Sequence, residues 1–513
     1  MATSHGIKLA VYLISSFFGD LNAKVCECLL RRGTLTLAQI MQFTELSSPN
    51  ARKCLLVLIH HNCVQAFNVQ QEGTFGTAPR IVTHYMALFD YIIHRIRLPK
   101  FMEIVTKEFD KECDQIFEGL VQHGRLSLQQ ILDRHGATAK KGKSGADAAL
   151  DRFKRLVSAR FVERCPAPEP FIAPPTEDEK AAAKKKGRKA AQMDEKTIEI
   201  QALEAAAPME SLRFSIEMES LNDDASEKTK EMAIGEKRKK DEKELLAKDE
   251  NQVLWRVNVE EFLRRLRNKA CVANVKARLN DEAAIVLDAI LELSKSSETK
   301  VKVDHSAPVS IDSIYDAVIT KEGGIGMDLE RIRSSLAQLG CEVPLVPLDE
   351  SYSIDLKNII EMAKIEEVEP IVWRRYGKEA YRMFRLLSQS GRLMPTDEIS
   401  DSTFVEKKDA VRILLGLWKD DYLEMRKVLL RGNNQTELML WRVNKESLWK
   451  QVLDELYHAA LNLRIRIIHE QELDHQVVGE LRTSNRGDPK QRRLKLESAF
   501  FNLDDVIMIF HDF

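Results

Sequence analysis

Three stretches of this chain follow one local grammar, and that repetition narrows the possible fold more than any single motif. Residues Arg32 to Ile40, Gly124 to Ile131 and Gly391 to Ile399 each follow an amphipathic helical pattern, break it at a glycine and start a short second helix. A third helix comes next. In the first copy Ala51, Cys54, Leu55, Leu58 and Ile59 fall at i, i+3, i+4, i+7 and i+8, and Ala149, Phe153, Leu156 and Val157 nearly repeat the spacing. Val411, Leu414, Leu415 and Trp418 do so again. Such spacing buries one stripe of each helix and leaves the other face in water.

Alternating strands follow: Val64 to Val69, Phe161 to Cys165 and Tyr422 to Val428. Three helices followed by a β-hairpin are the winged-helix variant of the helix-turn-helix. A fourth copy departs further from the pattern. It runs from the Asp281 to Ser294 helix through Val309 to Ile314 and the Leu329, Ile332, Leu336, Leu339 stripe, with a short wing expected over Val343 to Ile354. The pentapeptide Leu254-Trp255-Arg256-Val257-Asn258 recurs unchanged as Leu440-Trp441-Arg442-Val443-Asn444. If each copy is the returning wing strand, the second wing encloses a Pro-rich, then Lys-, Ala- and Glu-rich segment. Its composition predicts a mobile insertion, with a Met209 to Leu221 patch able to dock. After Asn444 a long stripe (Leu448, Val452, Leu456, Ala460, Ile467), a turn at Asn485 to Pro489 and a second stripe predict an antiparallel helical hairpin.

The expected fold is therefore mainly α with small β-wings, as tandem winged-helix domains plus a C-terminal antiparallel helical hairpin (coiled coil). The expected boundaries are 1–78 for the first winged helix, 79–165 plus 251–267 for the second, and 166–250 for the insertion in its wing. The third spans 268–369, the fourth 370–444 and the hairpin 445–513. A length of 513 residues fits several such cores.

Charge and cysteine usage exclude some functions. With 77 basic and 79 acidic side chains the formal net charge is −2, whereas a free-standing DNA binder usually carries a basic excess. Any nucleic-acid contact must be local or shared with a partner. The eight scattered cysteines read as reduced, core-filling thiols. Neither a secretory signal nor an uncharged run long enough for a membrane span is expected.

No converging catalytic set can be assembled, and neither a metal, a cofactor nor a small-molecule substrate is expected. Glu322 to Gly326 lacks the phosphate-loop pattern and its strand-then-helix context. Cys26 and Cys28 point different ways on a helix, and His60, His61 and Cys63 sit at a helix end, where core or cap roles fit better than metal ligation.

The wet faces of the third helices carry Arg52 and Lys53, then Arg152, Lys154 and Arg155, then Arg331 and Arg333, and finally Lys407, Lys408 and Arg412. They serve either as solvated and protein-docking faces or as contacts to DNA. The basic run Lys184, Lys185, Lys186, Arg188, Lys189 acts either as a nuclear-import or phosphate-seeking arm or as a solvating linker. Leu494, Phe500, Val506 and Phe510 in the last helix are candidate partner contacts.

The order of these parts resembles the third-largest, four-winged-helix subunit family of eukaryotic DNA-directed RNA polymerase III. Ile7 to Phe18, Leu29 to Gly33, Leu55 to Asn62, Phe161 to Pro166 and Cys271 to Asn280 are similar to that family's stretches, and the likeness covers nearly the whole chain. The resemblance implies a nuclear, non-catalytic subunit on the polymerase clamp. It would join a smaller winged-helix subunit and an acidic-tailed subunit in a three-part initiation module that aids promoter recruitment and opening, with weak or single-stranded contact to promoter DNA. A stand-alone winged-helix DNA-binding regulator, or a scaffold of another multi-subunit complex, is the alternative.

Overall fold

A computed structural model describes residues 3–71, 80–136, 143–172, 198–216, 253–298, 300–341, 351–430, 436–477 and 489–513. They form two compact units, one of residues 7–262 and one of residues 263–513 with Thr3–Gly6.

Helix α1 (Ser4–Phe18), which belongs to the first unit from Ile7 on, precedes a winged helix made of α2 (Asp20–Arg32), β1 (Leu35–Thr36), α3 (Leu37–Thr44), α4 (Ser48–His60), β2 (Val64–Gln71) and β3 (Arg80–Ala87). Helices α5 (Phe89–His94) and α6 (Leu98–Glu108) lead to a second copy. That copy comprises α7 (Lys111–His123), β4 (Leu126–Ser127), α8 (Leu128–Gly136), α9 (Lys143–Ser158) and β5 (Val162–Arg164). Strand β6 (Phe171–Ile172), helix α10 over 198–206 and helix α11 (Glu210–Arg213) come before the returning strand β7 (Leu254–Val257).

Helix α12 (Val259–Arg278) carries the chain into the second unit. The third copy has α13 (Asp281–Leu293), β8 (Val309–Ser310), α14 (Ile311–Ile319), α15 (Leu329–Gln338) and β9 (Ser351–Tyr352). After α16 (Leu356–Tyr376) the fourth has α17 (Lys378–Ser390), β10 (Met394–Pro395), α18 (Thr396–Thr403), α19 (Lys407–Lys419), β11 (Glu424–Leu430) and β12 (Thr436–Arg442). Helices α20 (Lys445–Val477) and α21 (Pro489–His511) end the chain.

The copies are built by the same short-range devices. The first helix stops at Gly33, Gly124 or Gly391, whose positive φ lets the amide reach back to Leu29, Leu120 or Leu387. A two-residue strand comes before helix two in every copy, with one or two residues between it and the glycine where there is one, and in the first three copies its second residue caps that helix. Thr36, Ser127 and Ser310 each accept from the backbone amide three residues on, and Gln39 and Gln130 complete capping boxes by accepting from the cap amides.

Helix three ends on a left-handed residue, which is Asn62, Arg160, Gly340 or Asp421. The following amide then bonds back five residues: Cys63 to Leu58, Phe161 to Leu156, Cys341 to Leu336 and Tyr422 to Leu417. This closure satisfies orphan carbonyls and aims the chain into the wing. The residue after the turn is buried in all four copies, which seats the strand on the helices.

Strand pairing repeats as well. The short first strand pairs antiparallel with the returning one, in the registers Leu35↔Tyr85, Leu126↔Trp255, Val309↔Tyr352 and Met394↔Trp441. An aromatic residue thus faces the first strand every time. Trp255, Tyr352 and Trp441 are buried, and the Trp441 Nε1 donates to Thr396 Oγ1 at 2.9 Å. The two copies of the repeated pentapeptide are the returning strands β7 and β12. Helix stripes fill each core; in the third copy Val286, Leu287 and Ile290 meet Ile314, Val318, Ile332 and Leu336. Burying each such side chain stabilises by about 1.5–3 kcal/mol.

Arg492 pairs with Glu470, Arg464 lies over Phe500 and Trp449 meets Phe510. Early positions of α20 meet late ones of α21, so the two helices run antiparallel.

The insertion differs from its mobile expectation where it is described. Strand β6 joins the first wing in parallel, with Asn68↔Phe171 and Val69↔Ile172. Ala202 of α10 is buried against Phe67, Met86 and Leu88. Apolar content sparse in sequence is enough here because an edge strand supplies the backbone partners.

Candidate nucleic-acid and partner interfaces

Each third helix is pinned by its buried stripe, which sets the direction of its outer face. On α4 Arg52 and Lys53 are exposed and have no ion pair among the described residues, and Leu56 beside them is 69% exposed. The other copies hold many of their cations differently. Arg152 is ion-paired with Glu112, and Arg155 with Asp110 at 2.9 Å, both across to the start of the second copy's first helix. Lys154 is half-buried.

Arg331 lies 3.7 Å from Glu282, and Arg333 is exposed. In the fourth copy Lys407 meets Asp397 at 2.5 Å and Arg412 meets Asp409 at 3.2 Å, leaving Lys408 exposed without an ion pair among the described residues. Such surface pairs add little stability, about 0–1 kcal/mol. They do set availability, because a phosphate approaching a paired cation also meets the acid's repulsion. Among the described residues the α4 face offers two adjacent exposed cations without an ion pair. The basic run Lys184, Lys185, Lys186, Arg188, Lys189 lies outside the described residues.

The candidate partner contacts in α21 separate. Phe500 and Phe510 are buried against the chain's own Arg464 and Trp449, and Val506 is half-buried. Leu494 is 58% exposed.

The first unit also contains a buried polar network that the sequence reading did not single out. Glu163 of β5 accepts from Arg256 Nε at 2.8 Å and from Arg213 Nε at 2.6 Å. Arg256 Nη2 donates to the Tyr91 hydroxyl at 3.1 Å, and Arg125 Nε donates to Asn62 at 2.9 Å. Glu163 and Arg256 are cross-strand partners, as are Glu424 and Arg442 in the fourth copy. A glutamate at one register, opposite the arginine of the repeated pentapeptide, was the available signal. The first pair is roofed by α11; the second faces solvent.

Cys26 and Cys63 are buried, Cys28 and His61 are half-buried, and His60 is exposed. Burial pushes Cys63 up to about 11 and raises Cys26, so both thiols are protonated at neutral pH. Burial, assisted by Arg95 and neighbouring histidines, holds His61 down at about 4. Gly323 and Gly324 form a turn after helix α14, not after a strand, which is not a phosphate-loop setting.

Four helix-turn-helix bricks in series, three with a described two-stranded wing, define a tandem winged-helix protein. The family model described as RNA polymerase III subunit RPC82 matches residues 151–362, and that for its helix-turn-helix domain matches residues 8–69. A model of the POLR3C C-terminal winged-helix domain matches residues 368–436. The chain is 23% identical to DNA-directed RNA polymerase III subunit RPC3 of Bos taurus, over 90% of this chain and 84% of the relative. It is 22% identical to the Homo sapiens subunit, over 90% and 83%, and 21% identical to that of Dictyostelium discoideum, over 91% and 92%. The chain belongs to this family, the third-largest subunit of RNA polymerase III.

Proposed function

We propose that the chain is a non-catalytic subunit of nuclear RNA polymerase III. It docks on the clamp with a smaller winged-helix subunit and an acidic-tailed subunit, and aids promoter recruitment and DNA opening. The Arg52–Lys53 face of α4, exposed and without an ion pair among the described residues, carries the DNA part of this reading. The near-zero net charge supports a role in which that contact is strengthened by assembly rather than made alone. Leu494 and the outer faces of the other bricks supply protein contacts.

The test is the salt dependence of single-stranded DNA binding by the full chain. Arg52→Glu/Lys53→Glu should flatten the log–log slope by about 1.4, the loss of two phosphate contacts on a single strand. An unchanged slope removes α4 from the interface.

A further inference from the structure

Three wings share one register, so their outer edges can be compared residue by residue. Tyr85, Trp255 and Trp441 of the central, returning strands stand opposite the same position of the short first strand and, on the other side, opposite Ala66, Arg164 and Met425 of the outer one. Asn68 of β2 therefore corresponds to Lys427 of β11, and Val69 to Val428.

The first two edges are covered by the chain itself. The Asn68 amide donates to the Pro170 carbonyl at 2.9 Å, and the Gln65 side chain donates to the carbonyls of Ala167 and Pro168 at 2.9 and 3.2 Å. Val69 and Ile172 pack against one cluster. Beside β5, Arg164 donates to the Ser215 carbonyl at 2.8 Å. Strand β11, in contrast, is the end of its sheet among the described residues. Arg426, Lys427 and Val428 are exposed there, Val428 by 40%.

We propose that the β11 edge receives an extended, acidic segment of a partner protein as a parallel fourth strand, with an apolar side chain of that segment against Val428. An edge strand presents alternate N–H and C=O groups outward, and a strand laid along it satisfies them. The equivalent edge in this same chain shows that the geometry accepts a parallel addition.

Charge selects the occupant. Lys427 has no ion pair among the described residues, and Arg426 shares Glu424 with Arg442. A neutral apolar strand would desolvate these cations without compensation, which blunts unspecific pairing; an acidic one neutralises them. The self-added strand at β2 is itself preceded by Glu169. The match is not complete on the outer face. The counterpart of Phe67 is Arg426, so no helix equivalent to α10 is expected to cover β11.

The test uses the full chain and a fluorescent peptide, Glu-Glu-Ala-Pro-Glu-Pro-Phe-Ile, with anisotropy and residue-resolved amide exchange. The peptide should slow exchange within 424–430. Lys427→Pro should weaken binding about tenfold, the scale of one outward backbone hydrogen bond plus a charge. The amide removed faces outward, so the β11–β12 ladder stays paired, and protected β12 amides confirm it. Where that protection is lost, Val428→Asp replaces it as the variant and should weaken binding comparably. The proposal is overturned by equal binding to the variant, by protection appearing at 64–71 instead, or by no binding at millimolar peptide. Concentration-dependent protection of β11 without peptide also overturns it, in favour of a second copy of the chain.

Discussion

Glu163→Ala and Glu424→Ala remove the same cross-strand carboxylate from the same register of two wings, and the structure assigns them very different consequences. The Glu163 side chain is 3% exposed, and its partners Arg256 and Arg213 are 10% and 17% exposed. Deleting it strands the enclosed Arg256 guanidinium, while Arg213 keeps Glu260 at 3.2 Å and Glu210 at 3.6 Å. Breaking a buried pair this way costs about 3–5 kcal/mol, or roughly 150- to 5,000-fold in local opening.

The Glu424 side chain is 26% exposed, and Arg442 and Arg426 are 39% and 54% exposed, so water replaces the lost acid. The expected cost is about 0–1 kcal/mol, at most about fivefold. Native-state hydrogen exchange reads both directly, on β7 in one variant and β12 in the other. The double variant Glu163→Leu/Arg256→Met should recover much of the first loss, because an apolar pair removes the stranded charge. Equal losses in the two single variants would refute the reasoning, since they would show that enclosure by α11 does not set the energy.

Gly124→Ala should destabilise the first unit by about 1–3 kcal/mol in urea unfolding followed on 64–71. An added Cβ would sit 2.5 Å from the His60 carbonyl oxygen at a φ of +78°. Acid should weaken the same region. His61 is held near 4 against an ordinary 6.5, so the unfolded chain takes up a proton first as pH falls. The stability of the neutral imidazole is complete above pH 6.5 and is lost progressively toward pH 4. His61→Gln should flatten that decline in urea midpoints measured across the window.

The helical framework was legible because its signal is local. Leu55 and Leu58, or Leu414 and Trp418, repeat at a helical period that needs no knowledge of partners. The repeated pentapeptide located two returning strands, because an identical sequence in identical surroundings folds alike. Other features depend on distant residues. Strand β6 pairs with a segment about a hundred positions earlier, so Phe171 and Ile172 looked like part of a polar insertion. Arg152 and Arg155 resemble Arg52 and Lys53 in sequence. Only folding brings Glu112 and Asp110 to the first two and leaves the others open.

Phe500 and Phe510 read as available apolar groups, because a helix does not announce that its own hairpin partner will cover it. The left-handed closure after each third helix was hidden too. It falls on Asn62, Arg160 and Asp421, and just once on a glycine.

The most direct measurement is purification of the tagged full chain from cells of its own source at moderate salt, with quantitative identification of co-eluting proteins. Membership predicts the large RNA polymerase III subunits in near-equal amounts with the bait. Their absence from a soluble, folded bait would contradict the central claim.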